Sequence, residues 1–273
     1  MTRAFVLTGG GALGATQSGM LQALFAHGVE PDFVVGTSVG ALNAAFIARR
    51  PTYDSAVELE HLWYAASRNL IFPIRPRTLV LGITGRRDHL VASDGLASWV
   101  RGHLDYDDFA DTSVPLHVVA TDLESGNAVV LSAGALMPAL LASCALPGIF
   151  PPVHIDGRVL VDGGISADVP ALQAEAIGAD EIWVLPTSGA ERVADLPRGA
   201  LEVLLRSIGI VLGHVTRDHL SQLGPNTTVH VLPAPAVSNS SILDFDHTAE
   251  LVSEGRLLAE SYVRQVSRRA AGQ

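Results

Sequence analysis

An apolar run, FVVG, passes without an intervening turn into TSVGALNAAF across residues 33–46. A chain that changes this abruptly from strand to helix has little conformational choice. The serine at the bend, Ser38, is forced into a strained backbone conformation, and the flanking positions have no room for side chains, so Gly36 and Gly40 are the residues that fit. The hydroxyl of Ser38 is then expected above the sheet edge. Beside it starts a helix predicted over 39–49, kept slim by Gly40, Ala41, Ala44 and Ala45 so that it lies close to the sheet. The unpaired N–H groups and dipole at its start favour negative charge next to the serine.

The segments around this bend set the fold class. A strand over residues 4–8, a helix over about 12–27 stopped by Gly28, and a second strand in DFVVG make a βαβ unit, whose crossover helix requires parallel strands. These strands are apolar at almost every position, as strands covered on both faces must be. Further strands are expected in LHVVAT (116–121), NAVVLS (127–132), RVLV (158–161), EIWVL (181–185) and TVHVLP, with Asp156-Gly157 forming a tight hairpin before the third of these. Helices are expected over 55–68, where Ser55 and Glu58 have capping-box spacing, after Ser93, over about 200–221 and at the C-terminal end. Strand and helix alternate with no fixed-period repeat. The expectation is an α/β fold with three layers, α/β/α, around a mostly parallel central sheet, in one domain over residues 1–273. Residues 69–93 are less regular and are expected to form a flap over a site. Their four arginines in FPIRPRTLVLGITGRRDH read first as solvated charges on an exposed loop, with lipid-headgroup binding as the alternative.

Composition removes several classes of chemistry. A formal net charge of −10 argues against nucleic acid, which needs a basic footprint. All 18 basic residues are arginine, so neither a P-loop lysine nor a pyridoxal Schiff base is available. Cys144 is the only cysteine, leaving no intrachain disulfide and no cysteine-rich zinc site, in keeping with a reducing, cytoplasmic compartment. Within LLASCALPG it reads as a small core residue. The start of the chain is too short in apolar residues for a signal segment and reads as mature protein. No residue from Ala128 to Ile155 is charged, but prolines interrupt the span, which reads as buried elements and not as a membrane helix.

A second glycine cluster, TGGGALG at residues 8–14, closes the first strand. Gly9, Gly10 and Gly11 can turn backbone N–H groups into a crevice as oxyanion donors. The same residues match the G-x-G-x-x-G dinucleotide pattern, which demands an acid at the end of the second strand. That strand ends instead in Gly36-Thr37-Ser38, with Glu30 and Asp32 ahead of it.

A serine nucleophile needs a base. His214, His219, His230 and His247 come late enough for an α/β-hydrolase order, but that order also places several strands before the elbow, where this chain has one. The remaining candidates are carboxylates at strand ends, Asp122 and Asp162, with Gly163 and Gly164 behind the second. Spacing leaves both open.

The ordered set GGGALG, GTSVG and DGG (162–164) resembles the patatin-like phospholipase family, and the likeness extends over nearly the whole chain, including ASCALPGIFPPV and GADEIWVL. The resemblance implies a Ser-Asp dyad without histidine: Ser38 as nucleophile, Asp162 as general base and acid, and the amides of Gly9, Gly10, Gly11 and Val39 as oxyanion hole. It implies hydrolysis of lipid acyl esters (phospholipid, lysophospholipid or other) through an acyl-enzyme, without metal or cofactor; peripheral contact with a membrane is a separate expectation, tied to the arginines near residues 75–87. One position departs from the pattern: many members carry a basic residue in the glycine loop where this chain has Leu13. The uncharged 128–155 segment is expected to raise the proton affinity of the acid by burial. Its Leu136, Met137, Leu140, Leu141 and Ile149 are candidates for an acyl-chain wall, with plain core packing as the default. The alternatives are a catalytically idle lipid-binding module of the same fold and a dinucleotide-dependent oxidoreductase.

Overall fold

The computed structural model describes residues 1–73, 75–188, 216–236 and 242–271, together with residues 199, 203, 207, 210 and 213. The opening βαβ unit forms as expected. β1 (Arg3–Leu7) and β2 (Phe33–Thr37) pair in parallel, and the connecting helix α1 (Ala15–Ala26) is preceded by a 3-10 turn at Gly11–Gly14, so the expected helix over 12–27 starts with a tighter turn. α2 (Val39–Ala48) follows β2 directly, and then α3 (Tyr53–Ala65). The cap of α3 is Thr52, whose Oγ1 accepts from the Ser55 amide; Glu58 pairs instead with Arg50 at 2.9 Å, so the capping-box expectation is off by one turn. The irregular stretch contains two short helices, α4 (Arg68–Ile71) and α5 (Pro76–Ile83), before α6 (Asp94–His103). Ser93 occupies the N-cap position of α6 without a side-chain bond.

The chain continues through β3 (Leu116–Asp122), β4 (Ala128–Leu131), α7 (Leu136–Ser143), β5 (Val153–Ile155), β6 (Arg158–Asp162), α8 (Gly164–Ala167), α9 (Ala171–Ile177), β7 (Glu181–Leu185), β8 (Thr228–Val231) and α10 (Thr248–Ala271). The polar linker expected over 187–199 lies mostly outside the described residues. Those described within the expected 200–221 helix are helical.

Following the pairings, the sheet runs β5-β6-β3-β2-β1-β7-β8, with β4 also on β3. β1, β2, β3, β7 and β8 are parallel; β4 and β6 pair antiparallel with β3, and β5 antiparallel with β6. Alternate strand residues face opposite layers, as a two-residue period dictates. Phe5, Leu7, Val34, Val118 and Leu185 enter the core formed with α1, α2, α3 and α10, whereas Ala4, Val6, Val35, Val119 and Val184 meet α8, α9, Leu220 and Leu223. The three-layer expectation holds.

α1 is buried from Ala15 to Leu24, polar residues included. Most buried polar groups are hydrogen-bonded, and here the bonds join the pieces that carry the site. Gln17 Nε2 donates to the carbonyls of Thr8 and Leu185, Asn43 Nδ2 donates to Gln17 Oε1 and to Gly14 O, and Trp63 Nε1 donates to Asn43 Oδ1. The glycine loop, α1, α2 and α3 are thereby tied into one network. α10 closes over α1 at small residues: a methyl on Gly255 would sit 2.6 Å from Thr16 O.

The register of β3 matters most for function. Val119 pairs with Thr37 of β2 and with Val130 of β4, while Ala120 pairs with Asp162 of β6 and with Val129 of β4. A strand has two edges, so β2 and β6 share the edge opposite β4. They meet there head to head, Thr37 ending beside Asp162.

Candidate active site

β2 ends at Thr37, α2 begins at Val39, and Ser38 between them adopts φ 53° and ψ −126°. For a residue with a Cβ this conformation costs about 1–3 kcal/mol, which the surrounding packing must hold in place. That packing is why glycines flank it. A methyl on Gly36 would stand 2.5 Å from Gly40 O and 2.6 Å from Ala41 Cα, and one on Gly40 would overlap the backbone of Leu7.

The head-to-head strand ends bring Asp162 to this bend. Ser38 Oγ donates to Asp162 Oδ2 at 2.7 Å, and the Gly164 amide donates to Asp162 Oδ1 at 2.8 Å. The carboxyl is 5% exposed. Its pKa is raised to about 7, first by burial and further by the charge of Asp168; the bonds from Ser38 and Gly164 oppose the rise. Gly163 lets the chain pass against the Val119 backbone, where any side chain would collide.

Sequence reasoning missed Ser143. Its hydroxyl accepts from the Ser38 amide at 2.8 Å and donates to Val119 O at 2.6 Å, pinning the bend to β3. Two further bonds, Asp162 N to Ala145 O at 3.0 Å and Gly163 N to Ser143 O at 3.2 Å, fasten the end of β6 to the end of α7. The signal was present only as one serine in an apolar ASCALPG.

The glycine loop faces the same point. Gly9, Gly10, Gly11, Ser38, Val39, Asp162 and Gly164 all line one cavity. Thr187 Oγ1 donates to Gly9 O at 2.7 Å, turning that carbonyl away, and Gly10 has φ 144°, a conformation open to glycine. The amides of Gly10, Gly11 and Val39 have no hydrogen-bond partner among the described residues. Gly9 lies against Asp168, a cavity residue that sequence reasoning also missed: a methyl on Gly9 would stand 2.6 Å from Asp168 Oδ1, and the Gly9 amide favours the ionised carboxylate. Burial raises the pKa of Asp168 to about 6, against the bond from Gly9.

The cavity holds about 850 Å³, within the range of pockets that enclose a drug-sized ligand. Its walls are apolar and aromatic: Leu13, Leu42, Trp63, Phe72, Trp99 and Phe150 are among them. The expected acyl-wall residues are elsewhere. Leu136, Leu140 and Ile149 are core residues, Met137 and Leu141 pack against that core, and from the uncharged segment Cys144, Leu146 and Phe150 line the cavity. Cys144 is buried, which holds its thiol pKa well above the ordinary range. Leu13, where the resemblance leads one to look for a basic residue, is an apolar wall residue.

The other base candidates are placed apart. Asp122 Oδ1 accepts from the amides of Glu124 and Ser125 in the β3–β4 turn. His230 stacks on Trp183 with centroids 4.2 Å apart, and His247 lies between Asp244 and Glu250. Neither these nor His219 bonds Ser38 among the described residues; His214 lies outside them. Asp32, ahead of β2, accepts from the Arg3 amide. Among the described residues no three His, Cys, Asp or Glu side chains form a metal cluster, and no helix is long and apolar enough to cross a membrane.

A strand-serine-helix elbow on a mixed sheet, with the carboxylate of a strand-end aspartate 2.7 Å from the serine hydroxyl, characterises the site. The chain belongs to the patatin-like phospholipase family, whose sequence profile matches residues 5–175. Rat patatin-like phospholipase domain-containing protein 7 is 30% identical over 178 residues, 64% of this chain and 13% of that protein. An uncharacterized NTE family protein of Mycobacterium bovis is 29% identical over 188 residues, 69% of this chain and 49% of its own length. The chain thus spans a minor part of these relatives. In structure it is similar to VipD from Legionella pneumophila, with a TM-score of 0.52 at 14% identity, covering 97% of this chain and 67% of that one. Human GIVD cytosolic phospholipase A2 bound to methyl γ-linolenyl fluorophosphonate gives 0.52 at 12% identity, over 98% of this chain and 58% of the other. These likenesses show the fold.

Proposed function

We propose that this protein is a serine acyl hydrolase that cleaves carboxylic esters of lipids with a Ser38–Asp162 dyad. The observation that carries the reading is the 2.7 Å bond from Ser38 Oγ to a buried carboxylate. An ordinary carboxylate is a weak base at neutral pH, and catalytic groups work best with a pKa near the working pH. Burial supplies that match here, since a carboxyl with pKa about 7 is half ionised at neutrality and can both take and return a proton.

In the reaction, Ser38 Oγ attacks the ester carbonyl while its proton moves to Asp162 Oδ2. The negative charge that develops on the carbonyl oxygen meets the unpaired amides of Gly10, Gly11 and Val39 and the positive end of α2. One such donor is worth about 2.7 to 4 kcal/mol in the transition state. Collapse expels the alcohol, protonated by Asp162, and leaves an acyl-Ser38 ester. Water, deprotonated by the same carboxylate, then releases the acid and restores the serine. Asp168 holds the Gly9 amide and so fixes the loop behind these donors. The apolar cavity accommodates the acyl chain, with Trp63, Trp99 and Phe72 in its wall. Family membership supports a lipid as the source of that chain, and the single free thiol suits a reducing, cytoplasmic setting.

A graded series of p-nitrophenyl esters and a vesicle-borne phospholipid test the proposal. Ser38→Ala should be inactive, Asp162→Asn should lose about 10²- to 10⁴-fold in kcat, and Asp122→Asn should match the parent. Equal, mild defects in the two aspartate variants would remove Asp162 from the mechanism.

A further inference from the structure

We infer that residues 68–73 and 75–87 form a docking face for the surface of an anionic phospholipid bilayer. The function above does not absorb this segment, and its charge runs against the rest of the molecule. Between Ser67 and Asp94 five arginines stand against two aspartates, in a chain whose formal net charge is −10. Arg75 pairs with Asp94, and Asp88 with His89. Arg68, Arg77, Arg86 and Arg87 are exposed and have no acidic partner among the described residues. Four such cations thus fall within 20 residues of an otherwise acidic chain. Arg101, Arg158, Arg268 and Arg269 are also exposed without an acidic partner among the described residues, but this stretch sets its cations beside exposed apolar side chains next to the cavity.

The same stretch exposes apolar tips. Val80 and Ile83, three residues apart on α5 and so on neighbouring turns of one face, are 59% and 71% exposed, and Leu70 on α4 is 44% exposed. Thr78 is buried and Leu79 and Leu81 partly so, which fixes the helix with Val80 and Ile83 outward. Apolar tips between arginines are what a helix lying at the headgroup boundary presents: side chains reach the acyl region while guanidiniums meet phosphates. A soluble acidic protein would satisfy the arginines and leave Val80 and Ile83 in water.

The face adjoins the cavity. Ile71 and Phe72, which follow directly from Arg68–Leu70, line it, and Phe72 stacks on Phe150 with centroids 5.1 Å apart. The amides of Leu90 and Val91 bond the backbone of Gly148 and Ile149, next to the cavity residues Leu146 and Phe150. Docking here sets the cavity wall against the lipid surface, an arrangement whose value rests on the lipid-hydrolase reading.

Vesicle flotation tests the inference without turnover, using the full chain with Ser38→Ala. Vesicles of phosphatidylcholine alone are compared with vesicles doped with phosphatidylglycerol, at low and high salt. Flotation is expected with the anionic vesicles, weakened by salt. Each juxtamembrane arginine is worth about fivefold in partition, so Arg86→Glu with Arg87→Glu should weaken it at least about tenfold. Val80→Asp with Ile83→Asp should weaken it as well, while both doubles, made in the parent background, hydrolyse a short soluble ester at the parental rate, which also shows that they fold. Arg268→Glu with Arg269→Glu, a matched charge change on α10, should leave flotation intact. No flotation on anionic vesicles, or an α10 double that loses as much as the Arg86/Arg87 double, overturns the inference. If flotation fails while the soluble ester is still cleaved, the docking face falls and the hydrolase stands. If flotation holds and the ester is not cleaved, the reverse is true.

Discussion

Replacing Asp162 by asparagine should abolish most turnover and yet make the protein harder to unfold above neutral pH. The carboxyl is 5% exposed, and its pKa rises from 3.8 in the unfolded chain to about 7 in the folded one, chiefly through burial. The folded state therefore binds this proton more tightly than the unfolded state does. Such a group contributes fully at low pH, and its contribution is lost as pH rises from about 4 through 7. At pH 8 the loss reaches about 4 kcal/mol, from roughly three pKa units at 1.36 kcal/mol each. Asparagine carries no charge and escapes this loss. Against the gain, its NH2 must face one of the two donors now satisfied, Ser38 Oγ or the Gly164 amide, at a cost of about 1–3 kcal/mol. The net at pH 8 is about 1–3 kcal/mol in favour of the variant. The cost of the mismatched donor does not depend on pH, so the cleaner observable is the change with pH. The advantage of Asp162→Asn should shrink by about 2 to 3 kcal/mol between pH 8 and pH 5. Urea unfolding of the parent, Asp162→Asn and the surface control Asp122→Asn at pH 5, 6, 7 and 8 measures it. An Asp162→Asn difference that stays flat with pH, or that moves toward destabilisation on going to pH 8, would refute the burial argument.

Other expectations follow from the same geometry. The acid limb of kcat/KM should fall near pH 7, because Asp162 must be ionised to accept the serine proton; a rate unchanged down to pH 5 would mean another base. Asp168→Asn should move that limb to lower pH, since the Asp168 charge helps to raise Asp162, and should keep kcat on the plateau because an amide oxygen still accepts from Gly9. Asp168→Ala should lower kcat and cost about 1–3 kcal/mol in urea melts, through the unpaired Gly9 amide; plateau rates equal to the parent would deny Asp168 a positioning role. Gly40→Ala should cost more than about 3 kcal/mol or fail to fold, because its methyl would overlap the Leu7 backbone, and a normal melting temperature would contradict the tight elbow.

Much of the framework was legible in the chain, because local chemistry decides it. The abrupt FVVG-TSVG junction demanded the bend, the doubly apolar strands demanded helices on both faces, and Asp156-Gly157 demanded the hairpin that the positive φ values of both residues bear out. Spacing could not choose between Asp122 and Asp162. That choice depends on β3 register, which puts the end of β6 on the edge of β3 that β2 vacates, and no local pattern encodes it. Ser143 and Asp168 were hidden for the same reason: each acts on a loop that is distant in sequence, and each looks ordinary among its neighbours. The acyl-wall residues were misplaced because an uncharged segment looks alike whether it packs inside the core, as Leu136 and Leu140 do, or against a cavity, as Leu146 and Phe150 do.

The central claim is that Ser38 is the nucleophile and that Asp162 prepares it. Labelling the folded protein with an alkyl fluorophosphonate, followed by intact-mass measurement and peptide mapping, tests this most directly. The account predicts one adduct per chain, on Ser38, absent from Ser38→Ala and formed far more slowly in Asp162→Asn. An adduct on another residue, or full-rate labelling of Ser38 without the Asp162 carboxylate, would contradict it.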